Sequence, residues 1–192
     1  MKRIADLLFE ARMLKEIPRS GFQFLGAGRE SVAEHVYAAT FTAYVMTQLH
    51  PDVDALKLIS MCLVHDLAEA RIGDLNSVHK AYIQPDEPRA VADTIRGLPF
   101  GAQLKALIDE YNAGTSPEAR LARDADQISL ILELKDLDDI GYHPPQDWLP
   151  HVLNRLQTET GKTLAAAIMS TRRDNWWWET AASRKTPGQG IG

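Results

Sequence analysis

The chain has 192 residues, enough for one domain of ordinary size with its own apolar core. Hydrophobic residues make up 45% and charged residues 24%, which excludes a disordered chain. The net charge of -5 argues against a nucleic-acid coat and against docking on anionic membranes, and the single cysteine, Cys62, excludes an internal disulfide.

The elements follow in chain order. Ile4, Leu7, Leu8, Ala11 and Leu14 recur at helical spacing and predict a short amphipathic helix that Pro18 ends. Residues 18–29, punctuated by Pro and Gly, read as a loop. Ser31 with Glu34 three residues on forms a capping box for a second helix, whose apolar face runs Val32, Val36, Ala39, Ala43 and Met46. From Asp54 to about Ala70 the chain is apolar on nearly all sides (Leu56, Leu58, Ile59, Met61, Cys62, Leu63, Val64, Leu67), which predicts a buried central helix ended by Gly73. A polar connection reaches about Pro88. Helical patterns resume over 91–98 and through Leu104, Leu107, Ile108 and Tyr111. A long helix is expected from Pro117 to about Ile140, with Leu121, Ala125, Ile128, Leu132 and Leu137 inward, stopped by Gly141 and Pro144-Pro145. Two further helices are expected near 146–157 and 163–177, and residues 184–192 read as a disordered tail. No strand is expected: the reading is one all-α domain over 1–183. With no signal peptide after Met1-Lys2-Arg3 and no run of 18 apolar residues, a cytoplasmic setting without a membrane span is expected.

Polar residues at the end of an apolar helix need a reason, because unpaired polar groups are costly to bury. Here they are His65, Asp66 and Glu69, with Glu69 one helical turn from both members of the doublet. An imidazole beside a carboxylate suits a transition metal. Upstream, His35 neighbours the apolar stripe of its helix and is placed to point inward. Downstream, Asp124 and Asp126 lie about 200° apart around one helix and cannot face the same point. Asp126 shares its face with the small residues Ala122 and Ser129, which leave room for a ligand, whereas Asp124 reads as solvated.

The order His35, His65-Asp66, Asp126 resembles the HD superfamily of metal-dependent phosphohydrolases. The blocks Ile17-Pro18-Arg19-Ser20-Gly21-Phe22, Glu30-Ser31-Val32-Ala33-Glu34-His35, Leu63-Val64-His65-Asp66-Leu67-Ala68-Glu69, Ile72-Gly73-Asp74-Leu75 and Ala125-Asp126-Gln127 resemble its 5'-deoxynucleotidase branch, from about residue 5 to residue 140. The resemblance implies an HD helical bundle with the site between its central helices, and a homodimer. It implies that His35, His65, Asp66 and Asp126 hold one divalent metal, which Mn, Co, Fe, Ni, Zn or Mg would satisfy. His50, His79, His143 and His151 read as surface residues.

The implied reaction is hydrolysis of a deoxynucleoside 5'-monophosphate to deoxynucleoside and phosphate, by attack of a water activated at the metal. Glu69 is placed to orient or deprotonate that water, or to support a ligating His. By the same resemblance Arg19 contacts the substrate phosphate, a task that suits a guanidinium. Asp74 faces the substrate, either bonding a sugar hydroxyl or protonating the leaving oxygen. Phe22 stands where the family often has Trp; it can wall or stack but has no N–H to donate. The alternatives are a non-catalytic nucleotide- or metal-binding sensor, or a hydrolase of another phosphoester or of nucleoside triphosphates. Trp176-Trp177-Trp178 is expected to pack on the domain or on a partner subunit.

Overall fold

In a computed structural model that describes residues 1–183, the helical periodicities resolve into twelve α-helices and one 3₁₀ turn. They are α1 (Lys2–Arg12), the 3₁₀ turn Met13–Lys15, α2 (Phe22–Leu25), α3 (Val32–Leu49), α4 (Ala55–Val64), α5 (Glu69–Ile72), α6 (Ser77–Tyr82), α7 (Glu87–Ile95), α8 (Gly101–Ala113), α9 (Pro117–Asp139), α10 (Pro145–Leu153), α11 (Glu159–Ser170) and α12 (Asn175–Ser183). Among the described residues there is no strand, only one isolated antiparallel bridge between Pro18 and Ser31. The fold is all-α. None of the described helices is long and apolar enough to cross a membrane. The tail expected over 184–192 lies outside the described residues.

The architecture centres on α9, flanked by α3 and α4. Ala122, Ala125, Ile128 and Ile131 of α9 are fully buried against Ala43 and Met46 of α3 and Leu58 and Met61 of α4. A second apolar cluster joins Leu14, Val32, Val36, Leu67, Val91 and Ile108. Each large aliphatic side chain buried here contributes roughly 1.5–3 kcal/mol. Helix α3 runs through both clusters, and His35 lies at the end that enters the second.

Local signals hold the site's flanks in place. The capping box is present at α3, where Ser31 Oγ accepts the Glu34 N–H and Glu34 accepts the Ser31 N–H at 2.6 Å. The Pro18–Ser31 bridge, with Arg19 N–H donating to Glu30 O at 2.8 Å, ties the Arg19 loop to that cap. Glu10 of α1 accepts from Arg71 of α5 and from Thr94 of α7, both at 2.5 Å, and so braces α5 from behind.

Several expectations need correction. The helix expected over 54–70 stops at Val64; it resumes as α5 after a tight segment whose hydrogen bonds run three residues back. It is also buried on one face only, since Leu56 and Leu63 are 77% and 57% exposed. On α9, Leu132 faces solvent while Leu134 points inward. A one-turn helix, α2, lies within the expected loop, and α6, capped by Asn76, lies within the polar connection. The helix expected over 163–177 divides into α11 and α12. Trp176, Trp177 and Trp178 of α12 are 78%, 45% and 62% exposed, with Trp177 and Trp178 edge to face, so they pack on the domain only in part.

Candidate metal centre

The break after Val64 decides the geometry of the doublet. With 3₁₀-type bonds from Glu69 N–H to Asp66 O and from Leu67 N–H to Val64 O, residues three apart lie nearly in line. Asp66 and Glu69 therefore share one edge, and His65, the C-cap of α4, swings beside them. From α3 comes His35, wholly buried, and from α9 comes Asp126.

These side chains converge. His35 Nε2 lies 3.0 Å from Asp126 Oδ1 and 3.6 Å from Asp66 Oδ2. His65 Nε2 lies 3.3 Å from Asp66 Oδ2 and 4.0 Å from Asp126 Oδ1. The donor atoms of His35, His65 and Asp126 all fall within 4.8 Å of one another. Ligands around one ion with bonds near 2.1 Å stand roughly 3–4 Å apart, so a small contraction would suffice.

The orientation of each ligand is fixed from outside. His65 Nδ1 lies 2.8 Å from Cys62 O; a carbonyl only accepts, so Nδ1 carries a proton there and Nε2 faces the centre. His35 Nδ1 is held at 3.1 Å by Ser129 Oγ. Asp126 Oδ2 accepts from Gln127 Nε2 at 2.9 Å and from Tyr111 Oη at 3.3 Å, which leaves Oδ1 toward the histidines. Both Nε2 atoms are buried and make no properly directed hydrogen bond. Two orphaned imidazole nitrogens facing two carboxylates are the donor set of a divalent cation. The residues present fit a metal.

Charge reinforces the point. Burial opposes a charged imidazole, yet Asp66 and Asp126 together push His65 up to about 9. Burial works against the Asp126 carboxylate too, but the Asp126 pKa is held below the usual range by His35 and His65. Burial, then the charges of Asp66 and Asp74, push Glu69 up to about 9, and its Oε2 is buried without a partner. Added positive charge is what would free Glu69 to act as a base near neutrality.

Arg19 supplies the nearest cation. Its Nη1 lies 3.5 Å from Asp66 Oδ2, and its Nε lies 4.0 Å from Asp74 Oδ2 and 3.9 Å from Glu30 Oε2. Asp74 Oδ2 accepts the Ser20 N–H at 2.8 Å, which joins the Arg19 loop to the segment after α5. Phe22, half-buried, stands next to Arg19 in the lining of two adjoining cavities.

The structure thus brings together His35, His65, Asp66, Asp126, Glu69, Arg19 and Asp74, with Phe22 at the edge. It does not bring in His50, His79, His143 or His151. Of these His143 and His151 are exposed, while His50 and His79 are half-buried and were expected on the surface. Asp124 is not solvated: it is wholly buried and accepts from Gln157 N–H, Thr158 N–H and Thr158 Oγ–H at 2.7, 2.8 and 2.6 Å. Its task is to anchor the start of α11, where a Cβ on Gly161 would fall 2.2 Å from Asp124 Oδ2. Sequence reasoning missed Tyr111, whose ring packs 4.9 Å from that of His65, and Glu30, buried beside Arg19. Tyr111 sits in an ordinary helical stripe, so nothing local marks it. Glu30 precedes the cap and carries no spacing signal.

Comparison with known proteins gives a consistent picture. The human 5'-deoxynucleotidase HDDC2 is 29% identical over 137 residues, covering 68% of this chain and 66% of that protein. The Schizosaccharomyces pombe 5'-deoxynucleotidase hdd1 is 28% identical over 131 residues, covering 63% of this chain and 65% of that protein. The chain therefore spans just under two thirds of the length of these relatives. A conserved hypothetical protein from Pyrococcus furiosus superposes with a TM-score of 0.74 at 28% identity, over 88% of this chain and 99% of that one. A predicted metal-dependent phosphohydrolase from Magnetospirillum magnetotacticum shares the fold, with a TM-score of 0.69 at 23% identity over 88% and 92% of the two chains. A family model described as an HD domain matches residues 11–168, most of the sequence and every residue of the cluster. The chain belongs to the HD domain family.

Proposed function

We propose that this protein, as one domain over 1–183, is a metal-dependent phosphohydrolase that converts deoxynucleoside 5'-monophosphates to deoxynucleoside and phosphate. The observation that carries the reading is the pair of buried, unpartnered Nε2 atoms of His35 and His65 facing Asp66 and Asp126, with Glu69 and Arg19 alongside. The activity named for the human and fission-yeast relatives supports the substrate class.

His35, His65, Asp66 and Asp126 would hold one divalent ion, and Mn, Co, Fe, Ni, Zn or Mg would satisfy this donor set. When bound, such an ion lowers the pKa of a water and polarises a phosphoryl oxygen. Glu69 accepts the proton of the attacking water at its buried Oε2. Arg19 grips the phosphate oxygens through its guanidinium, which Glu30 and Asp74 keep in place from behind. Asp74 faces the substrate, where it either bonds a sugar hydroxyl or delivers a proton to the leaving oxygen, and Phe22 walls the pocket.

The partner we assign is a second copy of the chain. Tyr37, Phe41 and Tyr44 stand in a row on one face of α3, their neighbouring rings 6.3 and 6.1 Å apart, and all three are exposed. Exposed aromatic rows of this kind suit a symmetric interface. We place the protein in a reducing cytoplasm, where its one cysteine, wholly buried, is at home.

The test is phosphate release from a panel of 5'-deoxynucleoside and ribonucleoside monophosphates. The protein is stripped with chelator and resupplied separately with Mn, Co, Mg and Zn, with Glu69→Ala as control. Metal-dependent release that favours deoxynucleotides and vanishes in the variant is expected. Stoichiometric metal binding without release from any nucleotide overturns the reading in favour of a sensor.

A further inference from the structure

Arg19 and Asp74 form the boundary between the candidate metal centre and a cavity of ≈ 330 Å³. Ser20, Asn76 and Trp148 also line it. Its volume is within the range of small-molecule sites. Trp148 of α10 sits across from the Arg19 loop, 3.7 Å from where a Cβ on Gly21 would lie, and offers an aromatic wall for a planar group.

Two buried polar atoms in this lining have no partner: Asn76 Nδ2 and Ser20 Oγ, in residues 8% and 4% exposed. The amide oxygen of Asn76 and the backbone N–H of Ser20 are committed. Asn76 Oδ1 accepts the N–H groups of Val78 and His79 at 3.1 and 3.0 Å and so caps α6. Those two donors fix which end of the amide is oxygen, and the group left over is the NH₂. Ser20 N–H is taken by Asp74 Oδ2. Buried polar atoms without partners are rare in folded proteins, and a ligand is one reason for them. The complementary ligand is planar, sits beside a phosphate held by Arg19, and presents a hydrogen-bond acceptor to Asn76.

We propose that this cavity is the base subsite, and that Asn76 makes it select thymine, uracil and guanine, which carry a carbonyl where adenine and cytosine carry an amino group, over adenine. The inference rests on the deoxynucleotidase reading. Thymine O4 and guanine O6 accept hydrogen bonds at the edge where adenine and cytosine carry an amino donor. An amino group there meets the Asn76 NH₂ donor to donor. The Ser20 hydroxyl either donates or accepts, so it does not discriminate.

The experiment measures kcat/KM for dTMP, dGMP, dAMP and base-free deoxyribose 5-phosphate in the metal-loaded wild type, Asn76→Asp and Asn76→Ser. Asp and Ser both preserve a cap for α6 while removing the NH₂. One hydrogen bond predicts roughly 5- to 10-fold preference for dTMP and dGMP over dAMP. Asn76→Asp is expected to abolish or invert that ratio, a readout that cancels any uniform effect of the added charge. Calorimetric binding of thymidine and deoxyadenosine to wild type and Asn76→Asp provides a readout without turnover. Equal kcat/KM for all three nucleotides, or a ratio unmoved in Asn76→Asp, overturns the inference while leaving the nucleotidase reading intact. Thymidine binding that Asn76→Asp abolishes, with no hydrolysis of any nucleotide, supports the base subsite and overturns the nucleotidase reading.

Discussion

Asp124 and Asp126 sit two residues apart on α9, and their contrast gives a sharp test of the site. Asp124→Ala removes an acceptor buried out of solvent that takes three hydrogen bonds, two from the backbone of residues 157 and 158. Hydrogen bonds to a charged acceptor are worth about 1.5–3 kcal/mol each, and the stranded backbone donors would carry a desolvation cost. Water entering the truncated site recovers part of this, which leaves a loss of about 3–5 kcal/mol, the range seen when a buried charged group's partner is removed. For a domain of this size each kcal/mol shifts Tm by about 2–4 °C, so a fall of roughly 6–20 °C is expected. Because Asp124 points to α11 and not to His35, metal stoichiometry at low temperature stays at the wild-type value. Asp126→Ala gives the opposite pattern: metal is lost and α11 stays docked. Thermal unfolding by circular dichroism, paired with metal analysis after desalting, reads both quantities. An Asp124→Ala protein that keeps its Tm, or that loses its metal while folded, would refute the assignment of the two carboxylates.

Other predictions follow from the same geometry. Tyr111→Phe removes a donor to Asp126 Oδ2 and is expected to weaken metal affinity about 10- to 100-fold with the fold unchanged, read by competition with a chromophoric chelator. In chelated protein, stability is expected to fall from about pH 4.5 to pH 9: Glu30, pushed up to about 8 mainly by burial, and Glu69 must ionise against their surroundings, and His65, pushed up to about 9, loses its charge and its pairing with Asp66. The sign is the same for all three. Carboxyls raised above the unfolded value lose stability as pH rises past that value, and a raised imidazole contributes below about pH 6.5 and is spent by about pH 9. A Tm that climbs across this window would contradict it. Metal affinity is expected to rise over the same range, because binding displaces the His65 proton, and proton release measured in two buffers checks this. Phe41→Lys is expected to convert a dimer to a monomer by light scattering while activity per chain changes by less than twofold; an unchanged mass would remove α3 as the interface.

Most of the helix pattern was open to reading along the chain, and the departures have physical causes. Ser31 and Glu34 announced α3 because a cap is a local hydrogen-bond exchange, complete within four residues. Pro117, preceded by Ser116, opened α9 in the same local way. The helix expected over 54–70 broke at Val64 because a run of apolar residues does not encode the shift from four-residue to three-residue hydrogen bonding. Leu56, Leu63 and Leu132 were expected inside because periodicity reports a residue's polarity and not whether another element covers it.

The sequence by itself determined the helical class and put His35, the His65-Asp66 doublet, Glu69 and Asp126 in their order, since residue type and helical phase are local properties. Asp126 was separable from Asp124 for the same reason, being about 200° away on one helix. Tertiary structure alone decided what each carboxylate meets. Asp124 is a buried anchor because α11, more than thirty residues downstream, aims backbone N–H groups at it. Only packing placed Tyr111 on Asp126 Oδ2, Ser129 behind the His35 imidazole, and Asn76 in the wall beside Arg19. Such pairings depend on how helices lie against one another, and side chains far apart along the chain carry no mark of whom they will meet.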